Sequence, residues 1–152
     1  NFDKSISEGD EYIDVDKVAL KEAKKSYISH PVLLRSRLLY DGGYYLEALA
    51  QLQEKIFLDN PEYFYRIARV KSKLDFENLE VISAYQKSVE LSKKSTDYYG
   101  PMSILQIGFI YEQANEVKNA KDSFNKCLSM SNFDYERGIH QKAKAGIDRI
   151  KN

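Results

Sequence analysis

The stretch from Ile104 to Met130, ILQIGFIYEQANEVKNAKDSFNKCLSM, constrains the fold more than any other part of the chain. Its apolar residues recur at steps of three and four, so it reads as two amphipathic helices rather than strands. Ile104, Ile107, Gly108 and Tyr111 mark one face of the first helix, and Leu105 and Phe109 widen the apolar surface. Val117, Ala120, Phe124, Cys127 and Leu128 mark the second. Between them, Gln113-Ala114-Asn115-Glu116 can turn the chain, because Asn tolerates a left-handed backbone and also caps helices. Glycine costs ~1 kcal/mol against alanine inside a helix. Gly108 is therefore expected to mark a close helix approach, with Ala120 as the small residue it meets and Phe124 filling the wedge beyond.

Looser copies of this hairpin precede it. Pro31 suits a first helical turn and opens VLLRSRLLYD, Gly42-Gly43 stops it, and YYLEALAQLQEKIF follows with Tyr45, Ala48 and Leu52 on its buried face. Asp59-Asn60-Pro61 closes that unit. Phe64, Ile67 and Ala68, then Val81, Tyr85, Ser88 and Val89, outline a weaker copy, whose turn around Leu74 to Asn78 carries an extra residue. The small residues Ser36, Ala68 and Gly108 register the three units, 32 and then 40 residues apart, so the third unit is expected to be displaced relative to the second. Pro101 is placed to start the third unit's first helix. FDYERGIHQKAKAGIDRIKN reads as a closing helix with Ile139, Ala143, Gly146, Ile147 and Ile150 on its apolar side and a basic outer face.

Residues 1–13 are polar and acidic and read as a lead-in. Asp14 or Asp16 can cap a leading helix, VDKVALKEAKKSYIS, with Ala19, Ala23 and Ser26 at repeat-like spacing. The acidic lead-in lacks the alternating ligands, central glycine and terminal Glu of a calcium loop.

Ile107-Gly108, Tyr111, Ala120, Phe124 and the small Cys127 resemble the tetratricopeptide repeat, as does GGYYLEAL in the first unit. YYGPMSILQIGFIYE together with QKAKAGIDRI is similar to a subgroup of bacterial proteins of that kind. Arg35 departs from the pattern, standing where the family has a large apolar residue, so either the helix is expected to be slightly rotated there or Arg35 to snorkel. The resemblance implies an all-α fold, a right-handed α-solenoid of about three hairpins of ~34 residues. The expected units are a leading helix at 14–30, repeats at 31–60, 61–96 and 97–131, and a capping helix at 132–152, all in one domain.

The resemblance also implies function. The first helix of each pair would line a concave groove that holds a peptide or partner segment. The residues expected to face it are Leu33, Arg37 and Tyr40; Tyr65, Arg66, Arg69 and Lys73; and Met102, Leu105, Gln106, Phe109 and Gln113. Tyr65, Arg69 and Lys73 share one stripe at four-residue steps. Arg37, Arg66 and Arg69 could converge on a carboxylate or an acidic peptide, since guanidinium binds carboxylates bidentately. Tyr40, Gln106 and Phe109 complete the candidate set. The clamp with which some relatives hold a chaperone tail would fall on Leu33, Arg37, Arg66, Met102 and Gln106, and those residues do not reproduce it. The alternative is a structural module whose apolar N-terminal edge, from Val15 to Ile28, stacks on further repeats or on a second copy in a homodimer.

No catalytic, cofactor or metal site is expected. His30 and His140 are the only histidines and Cys127 the only cysteine, so neither a zinc set nor a Cys–His nucleophile is in sight. Gly42-Gly43 lacks the Gly-Lys-Ser/Thr of a phosphate loop. Basic and acidic residues balance at 23 each, which argues against bulk nucleic-acid binding. No apolar run reaches the ~18 residues of a membrane span, so no direct membrane insertion is expected. A chain opening on Asn1 is expected to be a processed protein or a fragment. Its compartment stays open between the cytoplasm and, with a targeting segment removed, the cell envelope.

Overall fold

Three turns of the same geometry set the chain's course. At Gly43, Asp75 and Asn115 the backbone enters the left-handed region, with φ of 84°, 59° and 60°. Around each, two hydrogen bonds close the helix end: Tyr44 N–H to Leu39 O and Gly43 N–H to Tyr40 O, Phe76 to Lys71 and Asp75 to Ser72, Glu116 to Tyr111 and Asn115 to Glu112. This is the Schellman arrangement, which satisfies carbonyls that a helix end leaves without partners. Glycine takes the left-handed position without cost, and Asp and Asn are among the side chains that tolerate it best. Each turn residue lies seven positions after Ser36, Ala68 or Gly108, so the repeat seen in the sequence is a repeat of backbone geometry.

The computed structural model describes residues 30–93 and 95–151. The expected lead-in and leading helix, 1–13 and 14–30, lie outside the described residues except for His30. The fold is all-α. Seven helices are described: α1 Pro31–Asp41, α2 Tyr45–Glu54, α3 Pro61–Lys73, α4 Asn78–Leu91, α5 Tyr99–Gln113, α6 Val117–Ser129 and α7 Glu136–Lys151. The α3–α4 turn is one residue longer than the other two, as the sequence predicts.

Helix starts follow local chemistry. Asn60 Oδ1 accepts from the Glu62 and Tyr63 amides at 2.8 and 3.3 Å, with Pro61 at the first helical position, where no amide hydrogen is needed. His30 does the same for α1 through Nδ1, which accepts from the Val32 amide at 3.1 Å. The third start differs from expectation. Helix α5 begins at Tyr99, before Pro101, with Tyr98 at the N-cap position and Asp97 Oδ1 just ahead of it accepting from the Tyr99 amide at 3.0 Å. Pro101 then sits in the first turn, which still asks no hydrogen bond of it.

Every described helix packs on the next in chain order. In addition α1, α3, α5 and α7 touch in series, whereas α2, α4 and α6 do not touch one another. The first helices of the hairpins therefore form the closer-packed side. Two cores meet at α3. Tyr63 and Val70 close one with Leu33, Ala48, Leu49 and Leu52, while Tyr65 and Ala68 enter the other with α4–α7.

Phe124, fully buried, anchors the larger core. A Cβ at Gly108 would lie 2.5 Å from its ring, and one at Gly146 2.6 Å. The expected partner of Gly108 was Ala120. The atoms crowding it are those of Phe124, so the glycines of α5 and α7 make room for one aromatic ring from α6. Val117 is also corrected: it opens α6 exposed rather than buried, because only from Ala120 onward does that face meet α5. Arg35 stays at the surface, its Nε donating to Gln51 Oε1 at 3.2 Å.

Candidate functional site

Along the side formed by the first helices runs a groove of about 600 Å³. Tyr40 of α1 closes one end. Helix α3 contributes Tyr65, Arg69, Ser72 and Lys73 and α5 contributes Met102, Gln106, Phe109, Ile110, Glu112 and Gln113, with Tyr85 of α4 and Lys142 of α7 completing the wall. Eight residues expected to face the groove thus come together here: Tyr40, Tyr65, Arg69, Lys73, Met102, Gln106, Phe109 and Gln113, six of them from the candidate binding set.

Arg69 dominates the electrostatics. Its guanidinium lies 4.1 Å from the centre of the Tyr40 ring and 5.4 Å from that of Tyr65, held by two π faces rather than by an anion. Among the described residues, no carboxylate pairs with Arg69, Lys73 or Lys142. Glu112 is the acidic member of the wall, and it is neutralised: Arg149 of α7 donates to both of its oxygens at 2.8 Å. Those hydrogen bonds hold the Glu112 carboxyl below its usual pKa against the opposing effect of burial. Three unpaired cations thus surround a floor made of Met102, Phe109, Ile110 and aromatic rings. Burial raises the Tyr65 and Tyr85 pKa values, so both phenols stay protonated and add no negative charge at neutral pH.

Other expected groove residues have structural duties. Leu33 and Leu105 are fully buried, a correction to their expected outward position, because these helices are wrapped on more than one side. Tyr65, only 4% exposed, offers a ring edge at most. Arg66 is 5% exposed and its Nε donates to Glu62 Oε1 at 3.1 Å. Glu62 is itself fully buried and accepts from the Tyr99 hydroxyl at 3.0 Å. Burial alone would lower the Arg66 pKa, but the carboxylate and the neighbouring phenols carry it above its ordinary value. Arg66 therefore pins α3 to α5 instead of reaching solvent. Arg37 lies beside Arg66 and Arg69 around a smaller depression and sits 4.0 Å from Asp41, its neighbour one turn on.

Sequence reasoning missed Lys142, Tyr85 and Glu112. Lys142 belongs to the closing helix, whose outer face is expected to be basic, and its place in the wall depends on how α7 meets α5, which no local pattern encodes. The Glu62–Arg66 pair did leave a signal, an acidic and a basic residue four apart on one helix.

Among the described residues no group of three His, Cys, Asp or Glu side chains is arranged to hold a metal, and no helix is long and apolar enough to cross a membrane. No protein-family model and no curated protein matches the chain.

Proposed function

We propose that the chain is a non-catalytic interaction scaffold of the tetratricopeptide-repeat type that binds an acidic peptide or partner segment in this groove. The observation that carries the reading is the Arg69 guanidinium, held over Tyr40 and Tyr65 with no carboxylate partner among the described residues. A guanidinium fixed by ring faces loses little freedom on binding, so its edge donors are prepared for a carboxylate. The repeated turns and the serial contacts of α1, α3, α5 and α7 support the repeat assignment. The mixture of cations and a half-buried apolar floor favours a peptide over nucleic acid, which is bound mainly through many phosphate contacts.

Fluorescence anisotropy tests this with labelled Asp- and Glu-rich peptides and their Asn and Gln counterparts. The acidic set binds and the amide set does not. Arg69→Ala weakens binding roughly tenfold or more, the loss expected of a charge-assisted hydrogen bond. Equal binding of both sets, or no effect of Arg69→Ala, rejects the proposal.

A second reading is a module that self-associates through its first hairpin, where Leu38, Tyr44 and Leu46 are exposed. Its supposed N-terminal edge, Val15 to Ile28, lies outside the described residues. Light scattering over a range of concentrations separates the two: this reading requires a mass that rises with concentration.

A further inference from the structure

The cations of the groove are not gathered at one point. Arg69 and Lys73 stand on α3, Lys142 stands on α7, and α5 lies between, in contact with both helices. Helix α5 brings no free charge to the floor: it offers Met102, Gln106, Phe109, Ile110 and Gln113, while its Glu112 is taken by Arg149. A ligand crossing the helices therefore meets positive charge, then an apolar floor with two amides, then positive charge again.

Resting on the proposed peptide-binding reading, we infer that the groove selects an extended segment with two acidic residues flanking a large apolar one, lying across α3, α5 and α7. The spacing follows from helix packing. Neighbouring helix axes lie ~8–10 Å apart, so α3 to α7 spans ~16–20 Å. An extended chain advances ~3.3 Å per residue, so the acidic residues stand about five to six positions apart. The apolar residue between them rests on Met102 and Phe109, and Gln106 is placed to bond the peptide backbone. Arg69 and Lys73 set the first acidic position, Lys142 the second.

The test uses labelled peptides carrying two Asp residues with a central Leu, separated by one, four or eight intervening residues, beside a peptide with a single Asp. The expected order has the four-residue spacing tightest. Lys142→Ala, at an exposed position, weakens that peptide about threefold and leaves the single-Asp peptide unchanged, as a solvent-exposed charge pair would. Arg69→Ala weakens all of them. Binding indifferent to spacing, or an equal effect of Lys142→Ala on every peptide, overturns the two-point inference while the acidic-peptide reading stands. Failure of every acidic peptide to bind overturns both.

Discussion

At the scale of single residues, the fold turns on how much room one ring needs. Phe124 fits because neither Gly108 nor Gly146 carries a Cβ. Gly108→Ala gains ~1 kcal/mol of helix propensity but forces a methyl against the ring, and overpacking costs ~1–3 kcal/mol. The variant is expected to lose up to about 2 kcal/mol in urea unfolding, and Phe124→Leu in the same chain to recover part of it. A stabilised Gly108→Ala variant contradicts this packing. Cys127, equivalent to Ser88 of the preceding hairpin, makes the same kind of contact: Cys127 Sγ lies 3.7 Å from Pro101 O, and Ser88 Oγ donates to Pro61 O at 2.8 Å. Burial pushes the Cys127 thiol up to about 12. Native protein at pH 8 should therefore leave iodoacetamide unreacted over times in which denatured protein is fully alkylated, as mass spectrometry would record.

Between elements, two ion pairs do different work. Glu62 and Arg66 are buried with Tyr99 between α3 and α5, so removing Arg66 takes a counter-charge from a fully buried carboxylate. Arg66→Met is expected to cost ~3–5 kcal/mol, and Arg66→Met with Glu62→Met distinctly less, measured as a double-mutant cycle. Glu112 and Arg149 tie α7 to α5 at the surface, where such pairs contribute ~0–1 kcal/mol. The folded-state Glu112 pKa lies below the ordinary 4.5, so this contribution is complete above about that pH and disappears as pH falls through the folded value. Wild type and Glu112→Gln should differ slightly in stability at pH 7 and converge at low pH. A difference that grows with acidification contradicts this assignment.

Across the whole molecule, periodicity and turn chemistry were legible in the sequence because they are local. The three turns, the prolines at Pro31 and Pro61, and the small residues Ser36, Ala68 and Gly108 each carry their own physical requirement, and the helices follow from them. What local pattern could not reveal was which atoms meet across elements. Gly108 announced a close approach without naming Phe124, and Tyr65 and Arg66 shared a helix face with Arg69 without showing that α5 would cover them. Six of the eight candidate residues still line one groove, and three of them, Tyr65, Arg69 and Lys73, stand at four-residue steps on α3 and stay aligned wherever that helix packs. The proposed binding surface is this groove. The most direct test is amide chemical-shift mapping of the labelled protein as a two-Asp peptide with central Leu is added. Shifts are expected to concentrate around Arg69 and Lys73 on α3, Gln106 and Phe109 on α5, and Lys142 on α7. Shifts confined to α2, α4 and α6, or no shifts at saturating peptide, would contradict it.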